Sequence, residues 1–258
     1  MKRAVLERPT GPVLAPPGTN ENRSVRNAST TAGVSLLVMS ALSGFGYIVA
    51  VKGLVTQGNA ALTAKDIMAS ESLFRLGILS LFAVVALDVV AAWALNRVFR
   101  PVSEGISMVA AWLRVAYAAV FLGAISQLVG VAHLLNNSSY LAAFSRGQLQ
   151  ALALLRVNTF TDIWDGGLVL FGLCLLLIGY LAHRSGYVPR LLGALVAIAG
   201  AGYLFDSFGR VLYQGSPPDI SAFTFIGEFL LALWLVTRGR HITLSEPGPH
   251  IDLIGTPG

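Results

Sequence analysis

Six ionisable residues lie inside long apolar segments of this chain, and these are the groups whose chemistry needs an explanation. They are Arg75, Asp88, Arg114, Asp206, Arg210 and Glu228. A charged side chain in hydrocarbon costs about 2.5–3.5 kcal/mol on insertion scales, so each charge needs a partner or a function. Either the charges form structural pairs that neutralise one another, or they form a binding or transport site.

Asp88 and Arg114 are predicted to form a structural ion pair. Asp88 lies eight residues before Asn96, at the end of one apolar segment, and Arg114 lies eight residues after Ile106, at the start of the next. At a rise of about 1.5 Å per residue, both charges lie about 12 Å below the same membrane surface. Two helices joined by a tight turn bring opposite charges at matching depth together.

The remaining charges are predicted near the opposite surface of the membrane. Asp206 and Arg210 are four residues apart, which places them on one helical face, and Glu228 is expected at a similar depth. We expect these three groups, with Arg75 and Asp165, to line a polar cavity open to the outer face. Three aromatic residues are expected around that cavity: Tyr47, Trp164 and Tyr203.

The elements that position these residues are predicted to be membrane-spanning helices. Of the 258 residues, 55% are apolar and 12% are charged, whereas a soluble domain carries about 25% charged residues. Six apolar segments approach the ~20 residues needed to cross a bilayer, approximately 33–52, 73–95, 106–131, 164–182, 190–212 and 222–237. Because they show no two-residue alternation, the predicted fold is all-α: a polytopic transmembrane bundle with six spans.

The distribution of Lys and Arg predicts that both termini are cytoplasmic. Eleven cations lie in the tails and the loops of one side, and four lie on the other side, which follows the positive-inside rule. Residues 1–31 are predicted to be a disordered cytoplasmic tail, 32–240 the six-helix transmembrane domain, and 241–258 a flexible cytoplasmic tail.

Two helical stretches are expected in the longer outer loops. Thr63 is positioned to cap one short helix, and Gln148–Leu155 has helical spacing of apolar residues. Each stretch is expected either to lie on the outer membrane surface or to pack across the mouth of the bundle.

The familiar catalytic and cofactor motifs are absent from the sequence. The single cysteine, Cys174, can form neither an intrachain disulfide nor a cysteine-based metal site, and the four histidines match no zinc spacing. There is no His-Glu-x-x-His, Walker, Gly-x-Gly-x-x-Gly or Gly-x-Ser-x-Gly motif. No run of Lys and Arg exceeds two residues, so nucleic acid is not an expected partner. We expect no metal, no cofactor and no enzymatic activity.

Five stretches in order resemble the bacterial six-span membrane proteins of domain-of-unknown-function family 4386. They are Ile67–Gly77, Leu95–Val102, Gln148–Leu155, Gly166–Phe208 and Gly227–Gly239. The resemblance implies a helical integral membrane protein of bacterial type with no assigned chemistry, and the expected location is therefore a bacterial inner (plasma) membrane. It also implies that the following residues match polar positions of the family: Glu71, Arg75, Asp88, Arg114, Asp162, Asp206 and Glu228. Relatives often carry histidine where this chain has Thr161 and Cys174, a difference that argues against a metal or haem site here.

These observations leave three functional hypotheses. The leading one is a non-enzymatic membrane protein that binds a small or lipidic ligand, or a partner subunit or second copy, through its charged outer cavity. The alternative is a proton- or cation-coupled transporter in which Asp206 and Glu228 titrate, although the sequence shows no inverted repeat. The third, an enzyme acting on lipid within the membrane, lacks an identifiable nucleophile and base.

Overall fold

A computed structural model describes residues 19–136, 143–212 and 221–242, and these contain α-helices without any β-strand. The seven helices are α1 (Thr19–Ser43), α2 (Ala60–Ala69), α3 (Glu71–Phe99), α4 (Glu104–Leu135), α5 (Arg146–Arg184), α6 (Arg190–Leu212) and α7 (Ser221–Thr237). A π-helical turn, Gly44–Val49, continues α1, and the 3₁₀ turn Gly239–His241 follows α7. The all-α prediction is confirmed.

Five of these helices are long and apolar enough to cross a membrane. They are α1 with its π-helical extension, α3, α4, α5 and α6. The described apolar part of α7, Ile226–Thr237, is shorter. The protein is therefore a membrane-embedded helical protein, and a sixth crossing by α7 stays a prediction.

Six of the helices form a closed ring. In order around the ring, α1 packs against α3, α3 against α4, α4 against α5, α5 against α6, α6 against α7, and α7 against α1. Ring closure joins distant parts of the chain: the Ser29 hydroxyl donates to the Leu235 carbonyl at 3.1 Å, and Arg26 Nε donates to the Ile242 carbonyl at 2.9 Å. Helix α2 lies beside the ring and packs mainly on α5.

The α3–α4 and α5–α6 turns lie at one end of this ring, which we call the arginine end, and α2 lies at the other, the α2 end. Ser103 caps α4, since its hydroxyl accepts from the Ile106 amide. Tyr187, in the α5–α6 turn, donates to the Val98 carbonyl of α3 at 2.6 Å. The two hairpins are thus fixed to each other at the arginine end.

The backbones of neighbouring helices approach closely at glycines, which have no side chain. A Cβ on Gly179 of α5 would lie 2.6 Å from the Ala197 amide nitrogen of α6, and one on Gly172 would lie 2.8 Å from the Gly200 carbonyl oxygen. Between α1 and α7, a Cβ on Gly33 would lie 2.8 Å from the Ala232 carbonyl oxygen. These helices pack through glycine faces, as small residues permit in lipid.

Three expectations about element boundaries need correction. Helix α1 begins at Thr19, so residues 19–31 are helical rather than disordered, while residues 1–18 lie outside the described part of the chain. The stretch Gln148–Leu155 is no separate surface helix, because it forms the beginning of α5. Helix α2 exists as expected, but its cap is Asn59, whose side chain accepts from the Leu62 amide.

Candidate functional site in the ring interior

The predicted ion pair lies inside the ring. Arg114 Nη2 of α4 lies 2.7 Å from Asp88 Oδ1 of α3, and the two side chains are 2% and 1% exposed. The short α3–α4 turn sets the register of the two helices, so side chains at equal distance from the turn face each other. The prediction of a buried Asp88–Arg114 pair is confirmed.

Glu228 of α7 belongs to the same group of charges. Arg114 interacts electrostatically with both Asp88 and Glu228, and the Tyr203 side chain of α6 hydrogen-bonds to Glu228. We call Asp88, Arg114 and Glu228 the buried charge cluster. With Tyr203 and with Cys174 of α5, which also contacts Arg114, five helices of the ring contribute to one site.

The position of Glu228 differs from the prediction, which placed it at the depth of Asp206. The cause is the packing of α7 on α6. A Cβ on Gly227 would lie 2.6 Å from the carbonyl oxygen of Leu195, a residue that precedes Asp206 by about three helical turns. Glu228 therefore lies deeper in the ring, beside Arg114.

Hydrogen bonding within the cluster is incomplete. Four of its buried atoms have no well-aligned hydrogen-bond partner among the described residues: Asp88 Oδ1, Asp88 Oδ2, Arg114 Nε and Glu228 Oε1. The 2.7 Å contact between Arg114 and Asp88 is therefore a charge contact with poor hydrogen-bond direction. Buried polar atoms normally have partners, so unsatisfied ones identify a site that needs a structural or functional reason.

Aromatic side chains surround the cluster on its α2-end side. The Arg114 guanidinium carbon lies 5.2 Å from the centroid of the Phe171 ring, and Phe171 meets Tyr203 edge to face at 5.4 Å. Trp164 Nε1 donates to the Tyr117 hydroxyl at 2.8 Å, and Tyr47 meets Trp164 edge to face at 4.6 Å. The interior of the ring thus offers π faces to a positive charge.

Sequence reasoning included Tyr47, Trp164 and Tyr203 but missed Tyr117 and Phe171. A signal was available in the spacing. Phe171 follows Trp164 by seven residues, which is two helical turns, so both belong to one face of α5. The aromatic character of that face is visible in the sequence, whereas its partner on α4 becomes visible only in the packed structure.

The outer charges form two separate ion pairs rather than one cluster. Arg75 Nη2 lies 2.7 Å from Glu71 Oε1, one turn earlier on the same exposed face of α3. Arg210 Nη1 of α6 lies 2.8 Å from Asp165 Oδ2 of α5. Because α3 and α6 are not neighbours in the ring, Arg75 belongs to a different site from Arg210. Asp206 is 2% exposed and is held by interactions of its own.

Two cavities in the described part of the chain lie away from the predicted outer cavity. A groove of about 280 Å³ opens at the arginine end between α1 and the α3–α4 turn. A much smaller pocket, about 20 Å³, lies between the ends of α2, α3 and α4. Neither cavity is lined by Asp165, Asp206, Arg210 or Glu228.

Comparisons with known proteins place this chain in a family. Residues 31–239 match the family described as "Domain of unknown function (DUF4386)", and the chain belongs to that family. It is 36% identical over 166 residues to an uncharacterised protein of Archaeoglobus fulgidus, which covers 64% of this chain and 85% of the archaeal one. No solved structure matches the chain. Because that relative is archaeal, a bacterial membrane stays a prediction.

Proposed function

We propose that this member of the DUF4386 family is a non-catalytic membrane protein that binds a small organic cation inside its helical ring, with Glu228 as the counter-ion. The main supporting observation is that Glu228 Oε1, a buried carboxylate oxygen, has no hydrogen-bond partner among the described residues. This proposal moves the predicted binding site from the outer end of the bundle to the interior.

The charge balance of the cluster supports a cationic ligand. Two carboxylates, Asp88 and Glu228, face one guanidinium, that of Arg114. If all three groups are ionised, one negative charge is left uncompensated in a region from which water is excluded, at a cost of several kcal/mol. A bound cation would compensate that charge and provide a partner for Oε1.

The surroundings favour an organic cation over a metal ion. Among the described residues, no three His, Cys, Asp or Glu side chains are grouped as metal ligands. An organic ammonium group needs fewer ligands, since one carboxylate and aromatic faces suffice. The Phe171 ring already accepts one cation in this way, the guanidinium of Arg114.

The transporter hypothesis gains no support from the structure. It depended on Asp206 and Glu228 acting as a titrating pair, whereas Glu228 lies with Arg114 and Asp88. The described helices α3, α4, α5 and α6 also run without interruption, unlike the broken helices of many transporter binding sites.

We further propose that α7 crosses the membrane as a sixth span and that the arginine end faces the cytoplasm. That end carries a ring of arginines: Arg23, Arg26, Arg97, Arg100, Arg184, Arg190, Arg238 and Arg240. The α2 end carries both basic and acidic residues, and the acidic ones are Asp66, Glu71, Asp162 and Asp165. An excess of Lys and Arg marks the cytoplasmic side, so the start of α1 and the end of α7 are both expected there.

Two ligands that match in shape and differ in charge test the binding proposal. The purified protein in detergent is titrated with choline and with the uncharged isostere in which carbon replaces the ammonium nitrogen, and the thermal unfolding midpoint is followed. At a ligand concentration 100 times its Kd, binding stabilises by about 2.7 kcal/mol. We expect choline to raise the midpoint and the isostere to leave it unchanged.

The matched variants are Glu228→Gln, which removes the charge but keeps the shape, and Glu104→Gln at the exposed arginine end. Glu228→Gln is expected to abolish the choline effect, and Glu104→Gln to preserve it. Equal shifts from choline and its isostere, or a choline shift that survives in Glu228→Gln, would contradict the proposal. If neither choline, tetramethylammonium nor ammonium shifts the midpoint, the interior site binds no cation of this class.

A further inference from the structure

A second charged site lies at the arginine end, separate from the ring interior. Its groove has a volume of about 280 Å³ and is lined by Ser24, Val25, Arg97, Arg100, Pro101 and Glu104. We call it the arginine-end groove. It lies where the beginning of α1 meets the α3–α4 turn, so three helices form its walls.

The groove carries an uncompensated positive charge. Arg100 forms an ion pair with Glu104 one turn away, which accounts for the acidic residue of the lining. Arg97 is exposed and has no ion-pair or hydrogen-bond partner within residues 19–136, 143–212 and 221–242. Its guanidinium is therefore available to an anion, and the Ser24 hydroxyl provides a further hydrogen-bond donor in the same lining.

An aromatic belt places this groove at the depth of the lipid headgroups. Trp93 of α3 is 54% exposed and lies four residues before Arg97, and Tyr180 of α5 is 48% exposed and lies four residues before Arg184. Trp234 of α7 likewise precedes Arg238 by four residues. Each aromatic ring thus lies one helical turn, about 6 Å, nearer the membrane centre than an arginine. Exposed Trp and Tyr mark the membrane–water interface.

The chemistry of the groove fits a phosphate group. A guanidinium binds two phosphate oxygens through parallel N–H donors, and Arg97 is the free guanidinium of the lining. The side chains of Val25 and Pro101 complete the walls and are apolar, so they can contact the hydrocarbon part of a lipid.

We propose that the arginine-end groove binds the phosphate of one anionic phospholipid headgroup, with Arg97 as its principal contact. The proposal is independent of the cation site in the ring interior, since it uses other residues at another depth. Arg100 remains paired with Glu104 in this arrangement, so the net positive charge of the groove is that of Arg97.

The test measures lipid retention by native mass spectrometry. The protein is reconstituted in nanodiscs of phosphatidylcholine with one quarter phosphatidylglycerol and released into the gas phase. The amounts of the two lipid species that stay bound to the protein are then compared. We expect the first lipid molecule retained by the protein to be phosphatidylglycerol more often than its one-quarter share of the nanodisc. The variant Arg97→Gln should reduce that enrichment about five-fold, the effect of one interfacial basic residue.

The matched control is Arg184→Gln, which removes an exposed arginine at the same end but outside the groove. If both variants lose the enrichment equally, the arginine end attracts anionic lipid only as a diffuse surface, and the proposed site is wrong. A competition experiment with inorganic phosphate distinguishes a lipid headgroup from a soluble phosphate as the bound anion. Displacement of the bound lipid by millimolar phosphate would overturn the lipid assignment in favour of a soluble phosphate.

Discussion

At the scale of single residues, Arg114 is the group on which the ring interior depends. Arg114 forms an ion pair with Asp88 and interacts electrostatically with Glu228, and its guanidinium also lies over Phe171. Removing one partner of a buried pair leaves an uncompensated charge. The consequence differs for the members of this cluster, because Arg114 serves two carboxylates.

Replacing Arg114 is therefore expected to cost more stability than replacing Asp88. Arg114→Met leaves two buried carboxylates without a compensating positive charge and should lower the free energy of unfolding by about 3–5 kcal/mol. Asp88→Asn should cost less, since Glu228 still faces the guanidinium. Chemical unfolding in detergent micelles measures both. The double variant Asp88→Asn/Arg114→Met should recover part of the loss, and equal costs for the two single variants would contradict a shared guanidinium.

At the scale of helices, glycine contacts decide how closely α5 and α6 approach. Gly172 and Gly179 are seven residues apart, a spacing that predicts one packing face of α5, and both meet α6 backbone atoms. Gly44 lies four residues after Ser40, which predicts a packing face on α1 in the same way, but a Cβ at Gly44 would meet nothing within 4 Å. A Cβ at Gly46 would instead meet Ser80 and Leu81 of α3. The π-helical turn shifts the face of α1 by part of a turn, which a regular spacing argument does not anticipate.

The substitution Gly179→Ala is expected to destabilise the α5–α6 pair by about 1–3 kcal/mol, the usual cost of overpacking. Its Cβ would lie 2.7 Å from the Gly193 carbonyl oxygen, which belongs to the backbone and has no rotamer through which to move away. Gly123→Ala is the matched control, because nothing lies within 4 Å of its Cβ position. That control should be neutral or stabilising by up to about 1 kcal/mol. Equal melting of both variants in detergent would disprove close α5–α6 packing.

Helix register explains which site residues could be predicted from the sequence. The Asp88–Arg114 pair follows from residue counting because the short α3–α4 turn leaves little freedom. Glu228 could not be placed in this way, since residues 213–220 separate α6 from α7 and the register depends on the Gly227–Leu195 contact. The predicted span 164–182 covers only the second half of α5, because Arg156, Asp162 and neighbouring polar residues lower the hydropathy of the first half.

At the scale of the whole molecule, charge asymmetry and the hairpin contact between Tyr187 and Val98 define the arginine end. Burial raises the pKa of Tyr187, so its hydroxyl stays protonated and continues to donate to the Val98 carbonyl well above neutral pH. The α3–α4 and α5–α6 turns thus present one continuous basic surface. This surface is the basis for the proposed cytoplasmic orientation.

Cysteine labelling in intact cells tests that orientation. The native Cys174 is 1% exposed, so a membrane-impermeant maleimide should leave the parent protein unlabelled. Gln57→Cys, at the α2 end, is expected to react in intact cells, whereas His183→Cys, at the arginine end, should react only after the cells are permeabilised. The reverse pattern would invert the proposed topology, and labelling of both in intact cells would contradict a six-span ring.

Closure of the ring between α1 and α7 has a consequence for biosynthesis. The Ser29 hydroxyl and its acceptor, the Leu235 carbonyl, are separated by 206 residues of chain. At a translation rate of about 5–20 residues per second, synthesis of that interval takes roughly 10–40 s. Throughout this time α1 is inserted without its α7 partner, so the α7-facing side of α1, which includes Ser29 and Gly33, is covered by lipid or by the insertion machinery. A ribosome stalled before α7 would therefore hold an open arc of helices, whose free edges are the surfaces that assembly factors and membrane proteases encounter.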